Sequence, residues 1–275
     1  MTRPFVVVPM GGLCNRLRNI LSQRSLHDSI EVLWARSDGV SNASWSDVFE
    51  PLDRVTFRDI GVMPAQDYAG PCDQGPCSSA IPDAPPSWTT AYMELRPLPP
   101  ILARVDELKA MGSPYAAIHA RHSDHDENAA RFGHVTTNDE LLRWFLTSEK
   151  LAGMERDGNR NTVSLYLASE CKKTIEFFRT HCPSLRINAA WTRQVVNYDE
   201  RPGTLADAVV DLWMCKDAAA FRGTWISSFS ETIALLRAGG APPGGFDARV
   251  HMPSTDAEWF RDRPDRAQAW IKEHQ

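Results

Sequence analysis

The segment from Ile118 to Asp124 contains the side chains of this chain that are best suited to bind a ligand or take part in a reaction. It reads Ile-His-Ala-Arg-His-Ser-Asp and follows an apolar run that begins at Tyr115. The abrupt change predicts a buried strand ending at His119, with polar residues at the carboxyl edge of a sheet, where α/β proteins bind ligands. Arg121 can hold a phosphate through two parallel hydrogen bonds and stays charged at any working pH. The segment therefore predicts a phosphate site, with an ordinary exposed loop as the alternative.

A second candidate anion site lies near the amino terminus. Gly11 and Gly12 follow the apolar run from Phe5 to Val8, and apolar residues at helical spacing, such as Leu13 and Leu17, come next. The pattern predicts a strand, a glycine turn and a helix. Paired glycines let backbone amides approach an anion, and the helix amino end adds partial positive charge. The spacing matches neither the dinucleotide fingerprint nor the Walker loop, and a plain tight turn is the alternative.

A third segment, from Ser227 to Glu231, combines hydroxyl groups with a predicted helix start. Ser228 and Glu231 have the spacing of a capping box, and Phe229 begins a set of apolar residues on one helical face. Hydroxyls at a helix start form another anion site, although capping alone also explains the serines. An earlier predicted helix, which begins near Asp207, contains Asp211.

The three segments, in this order, resemble motifs of the fucosyltransferase superfamily of GT-B glycosyltransferases. That superfamily includes protein O-fucosyltransferases, core α1,6-fucosyltransferases and rhizobial nodulation fucosyltransferases. The stretch from Gly11 to Arg18 looks like its glycine-asparagine loop, and His119-Ala120-Arg121 looks like its central H-x-R motif. Asp211-Leu212-Trp213 with Ser227 to Ser230 resembles its carboxy-terminal motif. Two further tracts are similar to family tracts between these motifs: Trp34 with Trp45 to Phe49, and Leu167 to Glu170.

The resemblance implies a donor site for GDP-fucose. At the matching positions, Arg121 would bind the β-phosphate, while Ser227 and Ser228 would help to hold the same diphosphate. Phe229, the next residue, is expected to bind substrate as well. Asp211 would face the guanine, because a carboxylate accepts well from the ring and amino N–H groups of that base. The resemblance thus favours GDP over UDP as the leaving nucleotide.

The other implied site residues belong to the nucleotide and to the opposite side of the cleft. His119 would orient the nucleotide. Asn15, with Gly11 and Gly12 beside it, would lie across the cleft near the sugar or the acceptor. The implied fold is α/β and GT-B-like, with two Rossmann-like lobes facing a cleft.

Two positions depart from the family pattern. Many members have a second arginine where this chain has His122, and a second acidic residue where it has Cys171. Phosphate binding remains expected, whereas the sugar and the acceptor are less constrained by the resemblance.

The implied reaction is an inverting displacement by an acceptor hydroxyl at the anomeric carbon of fucose, with GDP as leaving group and no metal ion or other cofactor. Arg121 and the helix start at Ser227 would stabilise the departing diphosphate, as preorganised donors do. We expect Asp124 to be a site residue, and the sequence does not single out the base. Four acidic residues are candidates for it: Asp124, Asp126, Glu127 and Glu170.

Other functions remain open at the level of sequence. Asp124-His125-Asp126 spells the D-x-D pattern with which GT-A glycosyltransferases hold a divalent ion, so a metal-dependent transferase is one alternative. Four nearby histidines raise a zinc or iron site, and with it a metallohydrolase: His119, His122, His125 and His134. A transferase for another nucleotide-activated sugar and a non-catalytic nucleotide- or glycan-binding protein complete the alternatives.

Composition agrees with a globular enzyme, and the resemblance implies a glycan or glycoconjugate as its acceptor. The chain has 275 residues, 43% hydrophobic and 24% charged, with a net charge of -5, which gives no indication of nucleic-acid binding. Six cysteines are too few for a disulfide scaffold, and we expect free thiols, although Cys72 and Cys77 could close a small loop. We find neither a signal peptide nor a membrane span, and we expect a cytoplasmic protein.

The pattern along the chain predicts two lobes and a tail. Residues 1–110 form an amino-terminal α/β lobe on the acceptor side, and residues 111–245 form a Rossmann-like lobe that binds the nucleotide sugar. Residues 246–275 form a helical tail. A proline-rich tract from Pro64 to Pro100 is expected to lack regular structure.

Overall fold

The computed structural model describes residues 3–36, 41–64, 67–77, 88–111, 114–122, 126, 130, 135–147, 164–182, 187–188, 204–225 and 227–239. Within these ranges, two parallel sheets of four strands each share one topology. The first has the order β3-β2-β1-β4 and the second the order β7-β6-β5-β8, so in each the third strand lies at one edge and the fourth beside the first. The strands are β1 (Phe5–Pro9), β2 (Ile30–Arg36), β3 (Val55–Val62), β4 (Gln74–Cys77), β5 (Tyr115–His119), β6 (Ser164–Ala168), β7 (Ile187–Asn188) and β8 (Ala220–Arg222).

Helices connect and cover these strands. They are α1 (Leu13–Leu26), α2 (Trp88–Met93), α3 (Pro99–Ala110), α4 (Asn138–Thr147), α5 (Lys172–His181), α6 (Leu205–Asp217) and α7 (Ser228–Gly239), with a 3₁₀ turn at Trp45–Asp47. The alternation of strand and helix confirms the predicted α/β fold with parallel βα units.

The central strands are apolar because both of their faces are covered, as parallel sheets require. Along β1 and β2, side chains on one face, among them Val7 and Trp34, join the main core. Side chains on the other face, among them Val8 and Leu33, join a smaller cluster. Successive side chains of these strands point to opposite faces of the sheet, and each face packs into a hydrophobic cluster rather than facing solvent.

One hydrophobic core extends through both halves of the described chain. It includes residues of the first sheet, such as Val32, and residues of the second, such as Ala117 and Tyr166. Helix α2 packs against α7, and α3 packs against α6, so helices that follow the first sheet cover helices of the second. Tyr115 strengthens the second half, because its hydroxyl donates to the carbonyl oxygen of Met214 over 2.8 Å.

The expectation that the tract from Pro64 to Pro100 lacks regular structure is wrong in part. It contains β4, which pairs in parallel with β1, and helix α2. Pro99 and Pro100 open α3, where proline is tolerated because the first helical N–H groups have no intrahelical acceptor. The predicted tail at 246–275 lies outside the described residues. Among the helices of the described ranges, none combines the length and the apolar character that crossing a bilayer requires.

Candidate functional site

The shared strand order creates one topological switch point in each sheet. The chain leaves β1 and β5 towards one side, while β4 and β8 are added on the other side of these same strands. Crevices at the carboxyl ends of such strands are the usual ligand sites of open α/β sheets. Gly11 and Gly12 follow β1, and His119 with Arg121 lies at the end of β5. Two of the predicted motifs therefore lie at switch points.

In the second sheet, a hydrogen-bond network joins the end of β5 to the segment after β8. The Thr224 hydroxyl donates to the carbonyl oxygen of His119 and accepts from the backbone N–H of Arg121, each over 2.9 Å. The Ser230 hydroxyl lies 2.7 Å from Nδ1 of His119 and accepts from the backbone N–H of Thr224 over 2.9 Å. The H-x-R segment and the serine-rich segment are thus held as one unit.

A glycine allows this close approach. A Cβ atom placed on Gly223 would lie 2.5 Å from Cβ of Ser230, which is too close for any side chain to fit without movement. Gly223 therefore lets the chain after β8 pass directly against the start of α7. The imidazole of His119 also stacks on Phe229, with ring centroids 4.7 Å apart.

The predicted serine positions lie at the amino end of α7. Ser227 is buried immediately before the helix, and Ser228 and Phe229 are half-buried in its first turn. The expected capping box at Ser228 and Glu231 is not what the Glu231 side chain forms: it makes an ion pair with Arg18 of α1. The backbone N–H of Glu231 instead donates to the carbonyl oxygen of Ser227 over 3.0 Å.

In the first sheet, Arg16 shapes the glycine turn. Gly11 has a φ of 75°, a conformation that favours glycine. The buried Arg16 guanidinium donates to the carbonyl oxygens of Gly11, over 2.8 Å, and Ala35, over 2.6 Å, and lies 4.7 Å from the ring centre of Trp34. Burial lowers the pKa of Arg16 to about 10. Asn15 is half-exposed in the first turn of α1.

The two switch points are close enough to interact electrostatically. The thiol of Cys14 is buried, which raises its pKa to about 12, and the charges of Arg18, Arg121 and Glu231 all act on it. Arg121 comes from the second sheet, whereas Cys14 lies in the first turn of α1. The H-x-R motif and the glycine-asparagine segment therefore share one electrostatic environment.

Asp211 lies on α6 beside the strand β6. Its carboxylate oxygen accepts from the hydroxyl of Tyr166 over 2.5 Å. Desolvation raises the pKa of Asp211 to about 8, and the charges of Asp207 and Glu170 act in the same direction, while the Tyr166 hydrogen bond opposes them. A carboxyl group with so strongly raised a pKa is a functional candidate.

The raised pKa of Asp211 predicts a pH dependence of stability. A carboxyl group whose pKa is 3.8 when unfolded and about 8 when folded favours the folded state at low pH, and this contribution is lost as pH rises between those values. We expect the melting temperature of the wild type, relative to Asp211→Asn, to fall by about 4 °C or more between pH 5 and pH 8. Asp139→Asn, at an exposed site on α4, serves as the control and should follow the wild type. Parallel profiles for the wild type and Asp211→Asn would contradict the prediction.

Other predicted site residues fall partly outside the described ranges. Asp124, His125, Glu127 and His134 lie outside them. His122 is described: its Nε2 lies 2.9 Å from the side-chain oxygen of Asn138, and its Nδ1 lies 3.4 Å from Asp126. Among the described residues, no three His, Cys, Asp or Glu side chains are grouped in a way that could hold a metal ion.

Four residues contribute to this site although the sequence motifs assign no role to them. Thr224 and Ser230 join the two motifs, and Arg16 and Arg18 support the glycine turn and α7. The position of Thr224 directly after a strand and a glycine was the available signal. The partners of the arginines depend on distant segments, which spacing alone does not reveal.

A surface depression of about 350 Å³ lies elsewhere, at the amino end of β1. Phe5, His27 and the exposed ion pair between Arg3 and Asp73 contribute to its lining. Because ligands of parallel sheets bind at the carboxyl ends of strands, this depression is not the candidate site.

Comparisons with known proteins match this chain at the level of the fold. Neither a protein-family model nor a curated protein sequence matches the chain. Solved structures do match: POFUT1 in complex with GDP has a TM-score of 0.52 at 12% identity, covering 87% of this chain and 96% of POFUT1. POFUT1 in complex with GDP-fucose has a TM-score of 0.50 at 10% identity, covering 88% and 97%. Fucosyltransferase NodZ from Bradyrhizobium has a TM-score of 0.48 at 13% identity, covering 86% and 95%.

The matches to POFUT1 extend over both sheets rather than over one motif, since they cover most of each chain. At these identities the likeness concerns the fold. This chain shares the fold of POFUT1, as the resemblance of its motifs led us to expect.

Proposed function

We propose that this protein is a fucosyltransferase that moves L-fucose from GDP-fucose to a hydroxyl group of a glycan or glycoconjugate, with inversion and without a metal ion. The observation that carries the proposal is the network of His119, Arg121, Thr224 and Ser230 at the switch point of the second sheet. The network brings the segment that contains Arg121 to the amino end of α7. An arginine guanidinium and a helix amino end both bind phosphate groups favourably. The fold shared with POFUT1, solved with GDP and with GDP-fucose, supports the same donor.

In the proposed arrangement, residues 111–245 bind the donor and residues 1–110 face the acceptor. Arg121 and the start of α7, with Ser227, Ser228 and Phe229, hold the diphosphate. Asp211 accepts from the guanine N–H groups. The carboxylate is the form that accepts from both donors, so binding of GDP below about pH 8 releases a proton from this residue.

The chemistry follows from these positions. The acceptor oxygen forms a bond to the anomeric carbon of fucose while the bond from that carbon to the β-phosphate oxygen breaks. Negative charge grows on the departing GDP, and Arg121 and the helix amino end stabilise it more strongly in the transition state than before. The acceptor proton passes to a base, for which four carboxylates are candidates: Asp124, Asp126, Glu127 and Glu170. Of these, we propose Asp124 as a site residue.

Gly11, Gly12 and Asn15 complete the proposed site from the first sheet. Gly12 leaves open space in front of α1, since a Cβ on this residue would meet nothing within 4 Å. The half-exposed Asn15 offers an amide that can both donate and accept, which suits sugar hydroxyls. His119, fixed by Ser230 and Phe229, orients the nucleotide.

Ligand-dependent thermal stability tests this function, because a ligand that binds the native state raises the melting temperature. We expect GDP and GDP-fucose to raise it, UDP and ADP to leave it unchanged, and EDTA to have no effect on either result. Selective stabilisation by UDP compounds, or stabilisation that requires a divalent ion, would favour the rival transferases. A GDP-fucose response without transfer to any acceptor in a glycan panel would indicate a non-catalytic binding protein.

A further inference from the structure

A buried ion pair connects the two helices that begin at the candidate site. Arg18 lies on α1, three residues beyond Asn15, and Glu231 lies in the first turn of α7, three residues beyond Ser228. Their side chains are 4% and 1% exposed. The pair therefore joins the helix behind the glycine turn to the helix that begins with the serine-rich segment.

The position of Glu231 has an electrostatic consequence for anion binding. A carboxylate in the first turn of a helix interacts favourably with the partial positive charge of the helix amino end. The same carboxylate repels any other anion that approaches that end. In the proposed function, the approaching anion is the diphosphate of the donor, so the charge of Glu231 opposes binding unless a cation cancels it.

Arg18 supplies that cation from the other half of the molecule. Ser230, the neighbour of Glu231, lies 2.7 Å from Nδ1 of His119 and accepts from the backbone N–H of Thr224. The hydroxyl of Thr224 in turn accepts from the backbone N–H of Arg121, so the pair and the proposed phosphate ligand lie in one region. Interactions between buried charges are screened less than those at the surface. Whether Glu231 is neutralised therefore changes the potential that a diphosphate experiences at Arg121.

We propose that Arg18 is a positioning residue for the donor diphosphate, which cancels the charge of Glu231 and holds α1 beside α7 so that the diphosphate meets a net positive site. This inference rests on the proposed function. A pair that merely braced two helices would contribute to folding and would have no preference for charged ligands.

Opposite effects of the two single substitutions distinguish these roles. Glu231→Gln keeps a carbonyl oxygen for the Arg18 guanidinium and removes the negative charge, so GDP should bind roughly three- to tenfold more tightly. Arg18→Met removes the positive charge and leaves that of Glu231, so GDP should bind about tenfold more weakly. In the double variant, both charges are absent, and affinity should return to within about threefold of the wild type.

Calorimetric titration with GDP, GMP and guanosine provides the second readout. The effects should shrink from GDP to GMP and vanish for guanosine, because they scale with ligand charge. An exposed pair on α3 supplies the matched control, Arg104→Met with Glu107→Gln, which should leave all three affinities unchanged. If Arg18→Met does not fold, Glu231→Gln and the double variant still test the sign of the effect.

Failure of the role proposed for Arg18 and failure of the proposed fucosyltransferase function give different results. Weaker GDP binding by both single variants, or a change for guanosine as large as that for GDP, would overturn the role of Arg18 and leave a bracing pair. A wild-type protein that binds neither GDP nor GDP-fucose would overturn the proposed function before any variant is compared.

Discussion

Replacing Arg121 with alanine is expected to lower fucosyl transfer from GDP-fucose by about a thousandfold or more while the protein remains folded. An arginine that stabilises transferring phosphoryl charge contributes about 10³ to 10⁵ in rate in other enzymes, and single preorganised donors contribute about 10² to 10³. The fold should survive, because the described network binds this residue through its backbone N–H, which donates to Thr224. An alanine at this position keeps that hydrogen bond.

The kinetic comparison needs variants that isolate the guanidinium. Arg121→Lys keeps the charge and loses the bidentate geometry, so its kcat/KM should lie between those of the wild type and Arg121→Ala. Arg143→Ala removes an exposed arginine from α4 and should have wild-type activity. Circular dichroism and melting temperatures verify folding. Wild-type turnover by a folded Arg121→Ala protein would refute the assignment of this residue.

Substitution of Arg16 by methionine is expected to reduce the free energy of unfolding by about 3 kcal/mol. The change keeps an unbranched apolar stem but leaves the carbonyl oxygens of Gly11 and Ala35 without their charged donor, in a site that is 2% exposed. The contact with the Trp34 ring is lost as well. Urea unfolding monitored by fluorescence measures the difference.

Arg16→Lys separates charge from geometry. A lysine ammonium is a compact donor that does not reproduce the fork joining two carbonyl oxygens from different segments, so we expect roughly half of the loss. Arg104→Met, at an exposed position on α3, should change stability by less than about 0.5 kcal/mol. Unchanged stability in Arg16→Met would show that the glycine turn does not depend on this guanidinium.

Local signals in the sequence predicted most of the elements that position the site. The apolar runs before Gly11 and His119 correspond to β1 and β5, and the break in polarity marks where each strand ends. Helix α4 begins at Asn138 with a local arrangement of the same kind, in which Thr137 and Glu140 exchange hydrogen bonds between side chain and backbone. These features depend on residues within a few positions of one another, which is why a single sequence contains them.

Contacts between distant segments were not predictable in the same way. Glu231 has the spacing of a capping residue, yet its carboxylate pairs with Arg18, more than two hundred residues earlier. Proline composition suggested an irregular tract, yet Gln74 to Cys77 pairs with β1 because the edge of the first sheet accepts a fourth strand there. In both cases tertiary context outweighs local preference. The roles assigned to the site residues remain predictions, and the Arg121 variants test the one with the largest expected effect.

The hydrophobic core that runs through both sheets limits how this enzyme fold could be recombined. Helices α2 and α3, which follow the first sheet, pack on α7 and α6 of the second, and the side-chain amide of Asn42 accepts the first N–H of α6. In a chimaera that joined the first sheet to the second half of another protein, the apolar surfaces of α2 and α3 would be exposed. They would stay buried only if the helices that replace α6 and α7 were redesigned to pack against them. In the proposed function, changes of donor specificity are therefore accessible through side chains such as Asp211 rather than through exchange of a whole half.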